Sequence, residues 1–311
     1  MRDKLMIIIS LLILIMLFSP TAEALSTDSL MLVNRQHALN SGYTPQQLVY
    51  LNSYIRTKTS DVRLRVDAAQ ALGEMVKAMQ AAGISDIRAT NGYRDYTWQT
   101  HLYQNKIKYY RLLGYDYAEA HKLASGIVAP PGFSEHQTGL AVDLSTASLN
   151  NALDNRFATT AAGNWITTNC YKYGFIIRYP EDKTAVTGYV YEPWHIRYVG
   201  QPHAELIYKN GLCLEEYLQL LADREVIVYH STNGVSYAVY HSSGGFYRFA
   251  GRIISRSKID SGYSLTTTIL PTVQHIYLPP FSLQGFINLT NNYQPLRDQL
   301  FYPMFIVTNS G

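Results

Sequence analysis

The sequence predicts an α+β chain in which a mixed core over 31–221 precedes a β-rich module over 222–311. Two observations carry this. Between Leu64 and Leu221, runs with apolar residues every three or four positions alternate with short strand-like runs bounded by Gly, Pro and Asn. Beyond Ala222 the helical period fades, and short runs rich in Val, Ile and Tyr are separated by Asn-Gly, Gly-Gly and Ser-Gly turns.

In chain order, Met1-Arg2-Asp3-Lys4 precedes an apolar run from Leu5 to Phe18, broken only by Ser10, and Ala22-Glu23-Ala24 has the small-x-small pattern that a signal peptidase cuts. Residues 1–24 therefore read as a signal peptide, and the mature chain is expected outside the cytoplasm, in association with the cell wall. The run is short for a membrane span, so membrane contact is expected only if the segment stays uncleaved. No cysteine lies near it, which excludes a lipoprotein anchor.

From Leu64 to Ala82, Val66, Ala69, Leu72, Met75, Val76 and Met79 form a helical stripe that Gly83 stops. Asp86 to Thr90 is a strand ended by Asn91-Gly92. Asp95 can cap a helix reaching about Leu113, and Ala118 to Ile127 makes another ahead of Pro130-Pro131-Gly132. Leu140 to Leu144 is a strand with Leu140, Val142 and Leu144 on one face and Ala141 and Asp143 on the other. A helix is expected over Phe157 to Tyr173, then antiparallel strands Phe175 to Tyr179 and Gly188 to Tyr191, and a helix over Leu214 to Leu221. Val226 to Tyr229, Tyr237 to Tyr240, Phe246 to Phe249 and Leu265 to Ile269 supply the strands of a separate all-β module. Its function is not legible.

The 311 residues carry a formal charge of +3, too small an excess to point to nucleic acid. The 26 tyrosines suit polymer-binding surfaces and strands alike. The two cysteines, Cys170 and Cys213, either pair in an exported chain or pack as two buried thiols, and the sequence leaves both open.

Chemistry concentrates in two places. Ser134-Glu135-His136-Gln137-Thr138-Gly139-Leu140-Ala141-Val142-Asp143 offers a histidine and an aspartate, and Glu192-Pro193-Trp194-His195 offers a second histidine. His136, Asp143 and His195 together make three protein ligands, the number used by a catalytic zinc site that keeps its fourth position for water. Glu192 is then the natural base for that water. Arg94, in a Gly-Tyr-Arg turn after a short strand, could stabilise a developing oxyanion, or could be a surface partner of Asp95 or Asp86. Glu192 and His195 differ by an odd number, so a regular strand would point them to opposite faces. A kink at Glu192-Pro193-Trp194 is expected to reunite them.

These residues resemble the zinc D-alanyl-D-alanine carboxypeptidases of the VanY type, which have the Hedgehog/DD-peptidase fold. The resemblance spans about Leu32 to Leu221. Beyond the two metal motifs it includes Leu32-Val33-Asn34-Arg35, Asn91-Gly92-Tyr93-Arg94-Asp95-Tyr96, Tyr173-Gly174-Phe175-Ile176-Ile177-Arg178-Tyr179-Pro180 and Leu212-Cys213-Leu214-Glu215-Glu216-Tyr217-Leu218. It implies Zn2+ on His136, Asp143 and His195, Glu192 as general base, and Arg94 against the substrate carbonyl. Ser134, Gln99 and Tyr191 are candidates for substrate contact. The family more often has serine where this chain has Asn91 and Asp95. The implied partners are peptidoglycan stem peptides ending in D-alanine. An L,D-carboxypeptidase shares the motif set, and a catalytically inert wall-binding module of the same fold is the alternative from another class. An intact Glu192 speaks against the last, because binding alone needs no base.

Overall fold

The computed structural model describes residues 28–224, 226–241, 252–258 and 264–270. The expected signal segment 1–24 and the Phe246–Phe249 run lie outside them. Strand β1 (Leu48–Tyr50) pairs antiparallel with β2 (Arg63–Arg65), and helix α1 (Val66–Ala81) follows directly. Leu64 thus begins as a strand residue opposite Val49 rather than as the first residue of the helix. Of the predicted stripe, Ala69, Leu72, Met75, Val76 and Met79 enter the main core, while Val66, the first helical residue, is half-buried and stays outside it.

Next come β3 (Arg88–Asn91), α2 (Tyr96–Leu112), α3 (Tyr117–Ile127) and β4 (Ala141–Ser145). Asp95 and Asp116 cap the two helices by accepting from the Trp98 and Glu119 amides at 2.7 and 2.8 Å. Tyr103, Ile107, Ala120 and Ala124 form a small core of their own between α2 and α3.

The helix expected over Phe157 to Tyr173 is broken into a 3-10 turn (Asn155–Thr159), α4 (Ala161–Asn169) and a second 3-10 turn (Cys170–Tyr173). Thr160 explains the break. Its backbone is extended and its hydroxyl accepts from the Gly163 amide at 3.0 Å, so it starts a new helix instead of continuing one.

Strand β5 (Phe175–Ile177), the one-turn α5 (Thr184–Thr187) and β6 (His195–Tyr198) complete a four-stranded antiparallel sheet in the order β3-β4-β6-β5. The partner of β5 is therefore His195–Tyr198 and not Gly188–Tyr191, which forms no strand. Gly188 ends α5 at φ +74, Pro193 has no N–H to give a ladder, and the chain joins the sheet only after the turn at Glu192. Val142 pairs with Ile196, and these side chains face α1 and α4 in the main core.

Helices α6 (His203–Lys209) and α7 (Leu214–Asp223) lead to β7 (Val226–His230), β8 (Ser236–His241), β9 (Arg252–Lys258) and β10 (Ser264–Leu270), ordered β7-β8-β10-β9. This sheet is not detached from what precedes it. Leu206, Leu214, Tyr217, Leu218 and Leu221 share one buried cluster with Tyr229, Tyr237, Val239 and Leu265. Polar ties reinforce the seam: Glu205 accepts from the Thr232 hydroxyl at 2.6 Å, and His203 bridges the Tyr217 hydroxyl (2.8 Å) and the Thr267 hydroxyl (3.2 Å). Cys170 and Cys213 are both free and buried, and burial pushes each thiol up to about 12, so they act as small apolar groups.

Candidate active site

The β4–β6 ladder builds the site. Asp143 lies opposite His195, and Asn91 at the end of β3 lies opposite Asp143, so three polar side chains line up on the face away from the core. His136 arrives from outside the sheet. It sits in the 3-10 turn Glu135–Thr138, which Gly139 ends at φ +70, a conformation that favours glycine. The His136 Nδ1–H donates to the Gly92 carbonyl at 2.7 Å and leaves Nε2 free toward the sheet. Gly92 is needed there, because a Cβ would meet the Arg63 carbonyl oxygen at 2.3 Å.

Ligand atoms of His136, Asp143 and His195 all lie within 4.8 Å of one another, and all three residues are buried. His136 Nε2 is 3.3 Å from Asp143 Oδ2, His195 Nδ1 is 2.9 Å from Asp143 Oδ1, and the imidazole rings meet edge to face at 4.9 Å. Burial, with Arg94 nearby, pushes His136 down to about 4, which keeps it neutral and able to give a lone pair. Burial also disfavours charge on His195, but the nearby carboxylates of Asp143 and Glu135 outweigh it and lift the group to about 9. His195 thus takes up positive charge more readily than His136. Two nitrogen donors and a hard oxygen at this spacing fit a zinc ion.

The expected kink is a turn, in which the His195 amide donates to the Glu192 carbonyl at 3.1 Å. It brings Glu192 Oε2 to 3.9 Å from His195 Nδ1. Glu192 keeps 22% of its side chain exposed against 5% for His195, so it stands at the mouth of the site and outside the ligand cluster. Burial is the main cause that raises it to about 7. Arg94 lies in the field of Asp143 and Glu192, and burial is the main cause that lowers its pKa. Among the described residues its buried Nε has no hydrogen-bond partner, a donor open to a substrate oxygen. The surface alternatives are spent elsewhere, since Asp95 caps α2 and Asp86 accepts from the Ala147 and Ser148 amides.

Of the candidates for substrate contact, Ser134 is buried and leads into the His136 turn. Gln99 is buried on α2, with Nε2 donating to the Ala129 carbonyl at 2.7 Å and Oε1 left without a partner. Tyr191 does not join His136, Asp143 and His195. It lines a groove of roughly 290 Å³ with Cys170, Tyr171, Pro180, Lys183 and Tyr208, to which none of those three contributes. The aromatic at the centre is Tyr179, whose ring lies 5.0 Å from that of His195 and 4.7 Å from that of Tyr189.

Two further residues escaped the sequence reading. Asn91 Nδ2 donates to Asp143 Oδ2 at 2.8 Å, so the departure from serine at this position touches Asp143 directly. Glu135 is wholly buried, and its Oε1 accepts from Arg178 Nε at 2.8 Å and Arg197 Nη1 at 2.6 Å. Burial opposes its charge, but the two guanidiniums outweigh burial and hold the carboxyl far below the usual carboxylate range.

Comparison with known proteins agrees with this geometry. Residues 61–201 match the VanY family, described as D-alanyl-D-alanine carboxypeptidase. A putative carboxypeptidase, YodJ, of Bacillus subtilis (strain 168) is 42% identical over 192 residues, covering 61% of this chain and 67% of that protein. The solved structure of the LdcB LD-carboxypeptidase is 41% identical with a TM-score of 0.54, over 60% of this chain and 84% of that one. A VanY D,D-pentapeptidase from a VanB-type vancomycin-resistance cassette, solved with Zn(II), is 38% identical with a TM-score of 0.51, over 61% of this chain and 98% of that one.

Proposed function

This chain belongs to the VanY family of D-alanyl-D-alanine carboxypeptidases, and on that premise we propose that it is an exported zinc enzyme removing the terminal D-alanine from peptidoglycan stem peptides. The observation that carries the reading is the cluster of His136, Asp143 and His195 with Glu192 beside it at the open side. Bound zinc supplies Lewis acidity, polarising a carbonyl and acidifying a water molecule. Glu192 takes the proton of the attacking water on its carboxylate and returns it to the amine of the departing D-alanine as the amide C–N bond breaks. Arg94, with its unpaired buried Nε, holds the oxygen on which negative charge gathers. Tyr179 packs against the His195 ring and fixes its plane. The apolar run Leu5–Phe18 and Ala22-Glu23-Ala24 support export, which N-terminal sequencing of the extracytoplasmic protein tests.

A second reading, cleavage of the tetrapeptide stem by an L,D-carboxypeptidase, is favoured by the match to LdcB. Purified pentapeptide and tetrapeptide stems, incubated with the protein and weighed by mass spectrometry, separate the two. Loss of one alanine from the pentapeptide is expected. Loss from the tetrapeptide alone moves the assignment to the L,D reaction, and loss from neither leaves a wall-binding module.

A further inference from the structure

We propose that Glu135 is the positioning residue that selects the metal-binding tautomer of His195, by presenting a buried carboxylate oxygen to the ring nitrogen facing away from the metal ligands. The inference rests on the metal reading of the site.

Glu135 is oddly used for a mere counter-ion. Both arginines bond the same oxygen, Oε1, while Oε2 is buried without a hydrogen-bond partner among the described residues. The arginines do not depend on it alone. Arg178 also grips Glu215 with two bonds of 2.7 and 2.8 Å, and Arg197 donates to the Ser29 and Met31 carbonyls at 3.0 and 2.8 Å. Opposite the idle oxygen stands an idle nitrogen: His195 Nε2 is likewise buried and unpartnered, 3.7 Å away. A buried polar group without a partner destabilises the folded chain. Here two such groups of opposite kind face each other, and closing the gap by less than about 1 Å pairs them within ordinary N–H···O distance.

Chemistry says when they pair. The nitrogen of His195 that faces Asp143 is Nδ1, at 2.9 Å. To bind a metal, Nδ1 must give up its proton, and a neutral ring then carries its proton on Nε2. That N–H points at Glu135 Oε2. An anionic acceptor there stabilises the Nε2–H tautomer, strengthens Nδ1 as a donor and fixes the ring, the arrangement in which a carboxylate supports a zinc-bound histidine. His136 receives the same service from a carbonyl, through Nδ1 to Gly92. Each imidazole is thereby assigned its proton by a different kind of acceptor.

Glu135→Gln is a sharp test, because the arginines dictate how the amide sits. Its oxygen must stay on Arg178 and Arg197, so its NH2 takes the place of Oε2 and meets Nε2 with a donor. That favours the wrong tautomer. Competition with a chromophoric chelator should show zinc held roughly 10–100-fold more weakly than by the parent. Glu215→Gln, which removes a charge from the same arginine without touching His195, should leave zinc affinity within about threefold. Parental affinity in Glu135→Gln, or an equal loss in Glu215→Gln, overturns the proposal. Should Glu135→Gln fail to fold, nitrogen-15 NMR of the zinc-loaded parent decides. A slowly exchanging proton on His195 Nε2 is expected, and ligation through Nε2 or a freely exchanging proton there refutes it. A parent that binds no zinc overturns the metal reading itself, and this inference with it.

Discussion

Glu192→Gln tests the chemistry most directly. The amide keeps the size of the side chain and one hydrogen-bond acceptor but cannot carry a proton between water and leaving amine. Glu192 Oε2 stands 3.9 Å from His195 Nδ1 and outside the group formed by His136, Asp143 and His195, so the variant should hold zinc and fold normally. Loss of a positioned acid–base group lowers the rate by two to four decades, about 3–5 kcal/mol in the barrier. The pH profile supplies a second reading. A base works deprotonated, so the parent's kcat/KM should fall as pH drops through the Glu192 pKa. Burial raises that group to about 7, and an adjacent zinc cation favours the carboxylate and moves the acid limb below this value. In Glu192→Gln the limb should vanish. Turnover of a D-alanine-terminated peptide, zinc content and peptide affinity are measured together across pH. A zinc-loaded variant within about tenfold of the parent, or one that keeps the acid limb, refutes Glu192 as the base.

Further outcomes follow from the same geometry. Alanine at His136, Asp143 or His195 should each strip most of the metal, checked by elemental analysis of purified protein, and full occupancy in any one removes it from the ligand set. A chain ending at residue 224 uncovers Tyr217, Leu218 and Leu221 and should lose several kcal/mol, lowering the melting temperature by roughly 10 °C, as read by calorimetry. His203 is buried, which depresses it to about 3, so the unfolded chain binds the extra proton between about 3 and 6.5. The stability from keeping His203 neutral is therefore present above 6.5 and is lost as pH falls through that window. The slope of stability against pH between 4.5 and 6.5 should be shallower in His203→Gln than in the parent.

What the sequence revealed was what repeats locally. The alternation of Leu140, Val142 and Leu144 with Ala141 and Asp143 fixes which face of β4 is buried, and the odd spacing of Glu192 and His195 announces a departure from regular strand. Asp95 as a cap is equally local. Two errors came from giving propensity precedence over side-chain competition: Thr160 splits an apolar stretch that otherwise scans as one helix, and Pro193 delays β6 past the Tyr-rich segment that looked like a strand. Glu135 was invisible for another reason. An acidic residue in a polar turn looks solvated until Arg178 and Arg197, 43 and 62 positions later, arrive beside it. Alternation offered one clue, since Arg197 sits between Ile196 and Tyr198 at the position paired with buried Ala141.

The pairing of Asp143 with His195 has a consequence for how this protein can change. Register in a sheet moves every side chain at once, and a slip of one residue along β6 would bring Ile196 to the mouth of the site and turn His195 into the apolar interior beside α1 and α4. The same hydrogen bonds that seal Val142 against Ile196 therefore set the distance between Asp143 and His195. A misaligned strand is penalised twice, by a buried imidazole and by an exposed isoleucine, so a folded chain with a scrambled centre is disfavoured. On the approach to β6, Arg178, Tyr179 and Glu192 are tied to that rung, whereas Val186 and Val190 stand exposed and take no part in it. Those two exposed positions can be replaced or resized while Asp143 and His195 keep their pairing.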